Sequence, residues 1–331
     1  MDLRGELGIG DAARVKTIVG LDLGGTKTAC VEGTFGGEIL QRVEMLTQAE
    51  RPFAETFPAI ADTLGLVMDR ARAEGREIAA ISVSVGGPLK IGEGILINPP
   101  HLPGWHGVAL KAELEQRFPA LQVYVEHDGN AGALAEFYFG VGKEWPEDKP
   151  ELEHLIFLTV GTGIGAGIIV HGRVLRGASD TAGEVGHWRL AEDGPEVFGK
   201  RGGWESFRSG RGMLELAARM YPARWTPHTP IRELVTTMLA DDRDALEVAA
   251  AAGRWLGRGV ALLIDAFNPQ VIVLGSLGVA LGERVLGPAR EVIAKEALPQ
   301  AVAACELVTS RFGAGIGDVA SLMAAVAVMK R

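Results

Sequence analysis

Apolar positions in this chain follow two patterns, short strand-like runs and longer stretches of helical period, and one combination of them occurs twice. Thr17-Ile-Val-Gly-Leu-Asp-Leu23 reads as a buried strand, Gly24-Gly25 as a turn, and Thr28-Ala-Cys-Val-Glu32 as the returning strand. The same order comes back at Leu155 to Val160, Gly161-Thr-Gly163 and Gly167 to His171. Between the two hairpins, Phe53 to Glu74 has helical periodicity, Ile78 to Val85 reads as a strand and Leu110 to Phe118 as a short helix. Val123 to Glu126 then predicts a strand, and Ala131 to Phe139 a helix. Gly86 to Gly104 is so dense in Gly, Pro and Asn that it predicts a long irregular loop, and Lys143 to Pro150 predicts an exposed one. Downstream, helices are predicted at Asp244 to Phe267, Gly282 to Ala297 and Gly317 to Met329, with strands at Val271 to Gly275 and Glu306 to Ser310. This alternation is α/β grammar, and the repeated hairpin fits a duplicated fold, although the halves are too dissimilar residue by residue to prove duplication.

The turns have a chemical reading. A dinucleotide fingerprint needs a helix directly after its glycines, and a Walker loop needs its own Gly and Lys spacing; neither is present. What remains is a hairpin tip without bulky side chains, where backbone N–H groups can approach phosphate oxygens. Asp22, at the end of the first strand, could hold a magnesium ion through water, or merely cap its own turn. The second hairpin has Val160 and Thr162 near the comparable place, which predicts an asymmetric site. Asp128 follows an apolar strand and precedes a helix. It could serve as a general base or as a helix N-cap.

Composition narrows the partners. The 331 residues are 47% hydrophobic and 23% charged, enough for two domains with cores, and the net charge of −9 opposes broad binding to nucleic acid or anionic membranes. The start of the chain has no secretory pattern and no stretch is apolar enough to span a bilayer, so a cytoplasmic protein is expected. Cys30 and Cys305 are the only cysteines, read as inert thiols. Lys200, Arg201, Arg208 and Arg211 read as a solvated face, with contact to an anionic substrate or donor as the alternative.

Five segments occur in a familiar order: Leu21-Asp-Leu-Gly-Gly-Thr-Lys27, Glu126-His-Asp-Gly-Asn-Ala131, Gly161-Thr-Gly-Ile-Gly-Ala-Gly167, Gly183-Glu-Val-Gly-His187 and Asn268-Pro-Gln-Val-Ile-Val-Leu-Gly275. Together they resemble the ROK family of sugar kinases and related repressors, over nearly the whole chain. The resemblance implies a two-lobed actin-like (ribonuclease H-like) α/β fold, with residues 15–127 plus 313–331 in one lobe and 128–312 in the other. It implies ATP-dependent phosphorylation of a hexose, glucose at its 6-hydroxyl first, with N-acetylmannosamine, N-acetylglucosamine, fructose or allose as alternatives. Asp128 would be the catalytic base, with His127 standing where Asn is usual. Gly86, Gly87, His127, Asp128, Glu184, His187 and Glu205 would line the sugar site. Asp22, Gly24, Gly25, Thr26, Lys27, Thr162, Gly163, Gly275 and Ser276 would hold ATP, with Mg2+ near Asp22. A homodimer is implied as well, while polyphosphate remains open as a donor.

This chain departs from the family at the structural zinc. The His of Gly186-His187 has no cysteines shortly after it; Glu196, Phe198 and Gly203 stand roughly where three would fall. His187 is therefore expected to rely on hydrogen bonds or on packing from Trp204 and Phe198. Two non-enzyme readings stand beside the kinase. One is a sugar-sensing repressor, disfavoured by the short segment before the first strand and the acidic charge; the other is a degenerate sugar-binding protein, disfavoured by retention of Asp22 and Asp128.

Overall fold

The computed structural model describes residues 15–161, 163–197 and 199–330. In the first sheet, β1 (Lys16–Leu23), β2 (Lys27–Gly33) and β3 (Ile39–Leu46) form an antiparallel meander, and β4 (Glu77–Val85) lies parallel beside β1. The loop after β4 contains the small hairpin of β5 (Leu89–Lys90) and β6 (Ile95–Leu96), and β7 (Gln122–His127) completes the order β3-β2-β1-β4-β7. The second sheet repeats this plan. Its meander is β8 (Leu155–Val160), β9 (Ile164–Val170) and β10 (Arg173–Val174). A hairpin of β11 (Glu196–Val197) and β12 (Lys200–Arg201) follows, and β13 (Val271–Leu274) and β14 (Glu306–Thr309) add in parallel to give β10-β9-β8-β13-β14. Duplication, ambiguous in the residues, is plain in the topology.

Helices fill three layers around the sheets. On the outer face of the first sheet lie α1 (Phe53–Ala73) and α2 (Leu110–Arg117), whose Ile60, Leu64, Leu110 and Leu114 are fully buried. Between the sheets runs α3 (Asp128–Phe139). The helices α4 (Glu205–Arg208), α5 (Gly210–Met220) and α6 (Ile231–Leu239) gather against the long α7 (Arg243–Phe267), with α8 (Leu277–Leu281) beside them. On the outer face of the second sheet α7 pairs with α9 (Glu283–Glu296), and α10 (Pro299–Ala304) closes that layer. The chain then returns to the middle as α11 (Ile316–Ala320), against α3, β1 and β2, and α12 (Met323–Met329), against β4 and β7. Strands β8 and β13 are covered on both faces, which explains their unbroken apolar runs.

Four boundaries differ from the sequence reading. Strand β9 begins at Ile164 rather than Gly167, because Gly165 and Gly167 sit in register with Thr159 and Phe157 of β8. The closing helix is broken between α11 and α12, where the Ser321 hydroxyl donates to the Asp318 carbonyl at 2.7 Å and the junction seats on Gly20, whose absent Cβ would lie 2.2 Å from Ser321 Oγ. Strand β3 escaped detection because its half-buried alternation sits on a sheet edge with charged Arg42 and Glu44. Helix α3 starts at Asp128, three residues earlier than predicted. Its cap is His127, whose Nδ1 accepts from Gly129 N at 3.2 Å, so Asp128 is not the N-cap.

Candidate functional site

The first glycine turn is fastened from below. Gly24 N donates to Lys27 O at 3.1 Å, and the Thr47 hydroxyl donates to Gly24 O at 2.6 Å, leaving the outer side of the turn open. Gly25 lies under the His101 backbone, where a Cβ would be 2.5 Å from the carbonyl oxygen. Asp22, just before the turn, has its pKa raised to about 7, first by burial and then by the charges of Asp128 and Asp318, against a smaller lowering by Arg42. Three carboxylates thus converge at the end of β1. Asp318 is held there by Arg42, whose Nε donates to both its oxygens at 2.9 and 3.0 Å. Lys27 behaves differently from the rest of the turn: its ammonium pairs with Glu44 at 2.5 Å and is largely exposed.

Asp128 stands at the first turn of α3 with its side chain 43% exposed, one oxygen accepting Gly129 N at 2.7 Å. The adjacent His127 imidazole is more enclosed. Its Nδ1 lies 3.2 Å from Gly129 N and 3.3 Å from Asp128 Oδ1, and its Nε2 lies 3.7 Å from Glu184 Oε1. Gly87 makes room for that ring, since a Cβ there would fall 2.6 Å from His127 Cδ2; Gly86 does the same for His101, at 2.0 Å from Nε2. The two glycines therefore set imidazole positions. His101 was not singled out in the sequence, and its only signal was its place in Asn98-Pro-Pro-His101 within the turn-rich loop.

The second glycine turn, on the second sheet, packs on Glu205. A Cβ on Gly163 would lie 2.5 Å from Glu205 Oε2, and that oxygen accepts Ile164 N at 2.9 Å. Burial raises the Glu205 pKa, and Glu184 adds to the rise, while the Ile164 N–H and His187 oppose it. Gly167 lets α3 approach β9, because its Cβ would come 2.0 Å from Gly129 O. Gly183, at φ +98°, similarly seats its own loop against the Ala166 carbonyl. One strand thereby positions both Asp128 and Glu184. The glycines of this motif are packing devices, a use the sequence could not reveal.

Beyond the second turn, Gly161 O accepts Gly210 N at 2.8 Å, bringing the N-terminus of α5 to the turn. An open cavity of about 1140 Å³ extends from there, lined by Gly161, Gly210, Arg211, His228, Ser276 and Leu277 among others. Ser276 thus joins the cavity wall and Gly275 buttresses it, with its N–H bonded to Leu158 O at 2.9 Å. Thr162 and Phe198 lie outside the described residues. His187 sits at the end of a single 3-10 turn, exposed, and its carbonyl accepts from the Lys200 ammonium. Trp188 beside it stacks on the fully buried Trp204, with ring centroids 6.2 Å apart. Lys200 thus bonds the His187 backbone, and the tryptophan pair begins at the next residue.

The basic run divides. Arg201 and Arg211 are exposed, but Arg208 is completely buried, which corrects its placement on a solvated face; burial pulls its pKa down to about 10. The two thiols are free, and burial pushes both up to about 12, with Glu306 adding to the rise at Cys305.

A further residue was missed because its partner is 50 positions away. Glu126, 2% exposed, receives a charged hydrogen bond from Arg176 and also accepts His127 N at 3.1 Å and Asn130 Nδ2 at 2.9 Å. It anchors the backbone that presents Asp128. Arg176→Met should leave a buried carboxylate unpaired, costing about 3 kcal/mol or more in urea unfolding. The double variant with Glu126→Gln should recover much of that loss, and equal destabilisation of both variants would remove the coupling.

Comparison with known proteins gives the family. Residues 18–331 match the model of the ROK family. The chain belongs to the ROK family. It is 30% identical over 319 residues to a glucokinase of Thermotoga maritima, covering 92% of this chain and 96% of that protein. It is also 29% identical over 289 residues to a xylose repressor of Caldicellulosiruptor bescii, covering 84% of this chain and 70% of the repressor. Among solved structures, a ROK family glucokinase from Streptomyces griseus in complex with glucose and AMPPNP superposes with a TM-score of 0.75 at 28% identity, over 92% of this chain and 97% of that one. The ROK chain has the actin-like, two-lobed α/β fold of these kinases.

Proposed function

We propose that this ROK chain is an ATP-dependent hexokinase-type enzyme that transfers the γ-phosphoryl group to a sugar hydroxyl, with the glucose 6-hydroxyl as first choice. The observation that carries the reading is the convergence of Asp22 and Asp128, contributed by β1 and α3, close enough for one charge to raise the pKa of the other. Glu184, His187 and Glu205 then supply acceptors for sugar hydroxyls, and a site built to bind specific hydroxyls rejects sugars that lack them. In this reading the lobes are 15–127 plus 313–331 and 128–312. ATP lies between them, its phosphates toward the turns at Gly24-Gly25 and Gly161 to Gly163 and its adenosine in the cavity beside Gly210 and Ser276.

The carboxylate oxygens at Asp22, with Asp128 and Asp318 nearby, are a hard-donor set suited to Mg2+. Bound there with the nucleotide, Mg2+ would neutralise charge on the phosphate oxygens. Asp128 takes the hydroxyl proton as the sugar oxygen attacks, and Glu126 with Arg176 keeps it in place. Lobe closure excludes water, the competing acceptor. The family resemblance extends the reading to a cytoplasmic homodimer, which light scattering of the purified protein checks for its dimeric part.

A coupled assay of ADP release tests the reading across glucose, fructose, allose, N-acetylmannosamine and N-acetylglucosamine, with a parallel phosphosugar assay using polyphosphate as donor. Glucose with ATP should give the highest kcat/KM. The similarity to a xylose repressor favours a second reading, a sugar sensor. Saturable sugar binding with no phosphosugar formed from either donor would decide for it.

A further inference from the structure

A second cluster of chemically competent side chains lies at the opposite end of β8 from the glycine turn. Glu153 and His154 immediately precede that strand, and His171 occupies the tip of the β9-β10 hairpin beside them. One ligand atom from each residue lies within 4.8 Å of the other two, the one such group among the described residues. Glu153 Oε2 is 3.6 Å from His171 Nδ1 and 3.9 Å from His154 Nε2, and the two imidazole rings meet edge to face with centroids 4.6 Å apart. Because β8 has six residues, each advancing about 3.3 Å, the cluster is roughly 20 Å from the phosphate-facing turn.

We infer that Glu153, His154 and His171 form a binding site for a divalent transition-metal ion of the zinc class. Ligand atoms around a tetrahedral Zn2+, with bonds of about 2.0–2.1 Å, stand about 3.4 Å apart, so the observed spacings need only small side-chain rotations. Those rotations are available: His171 and Glu153 are well exposed, while His154 is about one quarter exposed. The backbone beneath them is fixed. Gln270 Oε1 accepts both Glu153 N at 2.8 Å and His154 N at 3.0 Å, and Gly172 N donates to Glu153 O at 2.9 Å, tying the hairpin tip to the start of β8. Two imidazoles and one carboxylate select zinc, nickel or copper over magnesium or calcium, and leave a fourth position for water.

The residue at the tip sharpens the case. His171 and Gly172 both have positive φ, +50° and +68°, in a two-residue hairpin turn where Asn-Gly is the favoured pair. Histidine is a poorer choice for the turn and a better one for a metal. The site would cross-link β8 to the β9-β10 hairpin, an exposed edge of the second sheet, and so raise the stability of that half without touching the cleft.

The test uses the full chain, stripped with chelator and held in millimolar Mg2+ so that oxygen-donor sites are occupied. Titration calorimetry with Zn2+ should show one ion bound per chain with micromolar or tighter affinity, and Zn2+ should raise the Tm. His171→Asn should fold at least as well, since Asn suits the turn, yet weaken Zn2+ binding at least tenfold and abolish the Tm shift. His154→Gln should weaken it similarly, and His187→Asn, in the cleft, should leave it unchanged. Absence of binding below millimolar Zn2+, retention of full affinity by His171→Asn, or loss of it in His187→Asn would each overturn the assignment.

Discussion

Asp128→Asn should lower kcat by about 10²- to 10⁴-fold, the usual contribution of a positioned general base, while the glucose dissociation constant stays within a few-fold of the parent. The substitution is nearly isosteric. The amide oxygen can still accept the Gly129 N–H, and the helix cap is untouched because His127 provides it. What disappears is an acceptor for the sugar proton, along with a negative charge facing Asp22. Each factor of ten corresponds to about 1.4 kcal/mol in the barrier, so the predicted loss is about 3–5 kcal/mol of transition-state stabilisation. Rapid-quench turnover and direct sugar binding separate the two quantities. Turnover at the parent rate would move the base elsewhere, with Glu184, 3.7 Å from His127 Nε2, as the next candidate.

The contrast between a local substitution and a distant one bears on what the sequence could disclose. Asp22 and Asp128 were legible because each lies at the carboxyl end of a strand that its apolar residues mark. The hairpins were legible for the same reason. Glu126 was quoted within a motif without a role, since its partner Arg176 lies in the other half and only the folded chain joins them. Gly163 and Gly167 invited one explanation, backbone approach to phosphate, whereas a Cβ at either would strike Glu205 or Gly129. Arg208 failed more instructively. Its neighbours Arg201 and Arg211 are exposed, and four residues of helix were too short for periodicity to reveal the inward face that buries it. Local pattern reports where strands end; it does not report which distant groups meet there.

Kinase and sensor readings share nearly all of this architecture. Both need a sugar pocket and lobes that respond to it, so Glu184, His187 and Glu205 do not distinguish them. The carboxylate cluster weighs toward the proposed kinase, because a bound cation and phosphates would compensate the mutual repulsion of Asp22, Asp128 and Asp318. Such repulsion persists at a functional site when the bound state uses it.

That repulsion yields the second large effect, at Asp22. Asp22→Asn should make the unliganded protein more stable at pH 8 and the nucleotide-bound protein less stable than the parent. The Asp22 pKa is about 7 when folded against an ordinary 3.8, first because burial removes it from water and next because Asp128 and Asp318 face it. A group whose pKa rises on folding contributes its full stability below the ordinary value and loses it as pH climbs through the folded one. The parent should therefore lose stability between about pH 4 and pH 7 through this residue, by at most about 4 kcal/mol for a shift of this size, with partial solvent access reducing it. The amide that replaces the carboxyl cannot ionise, so the variant escapes that decline, and its Tm advantage should grow across the same interval and level off by pH 8, reaching a few degrees. Adding MgATP should invert the order, because ligand binding stabilises by mass action only the form that retains the carboxylate. Thermal melts at pH 5 and pH 8, each with and without MgATP, read all four states. A variant less stable than the parent at pH 8 without ligand would mean that the Asp22 carboxylate supports the fold rather than waiting, under strain, for its cation.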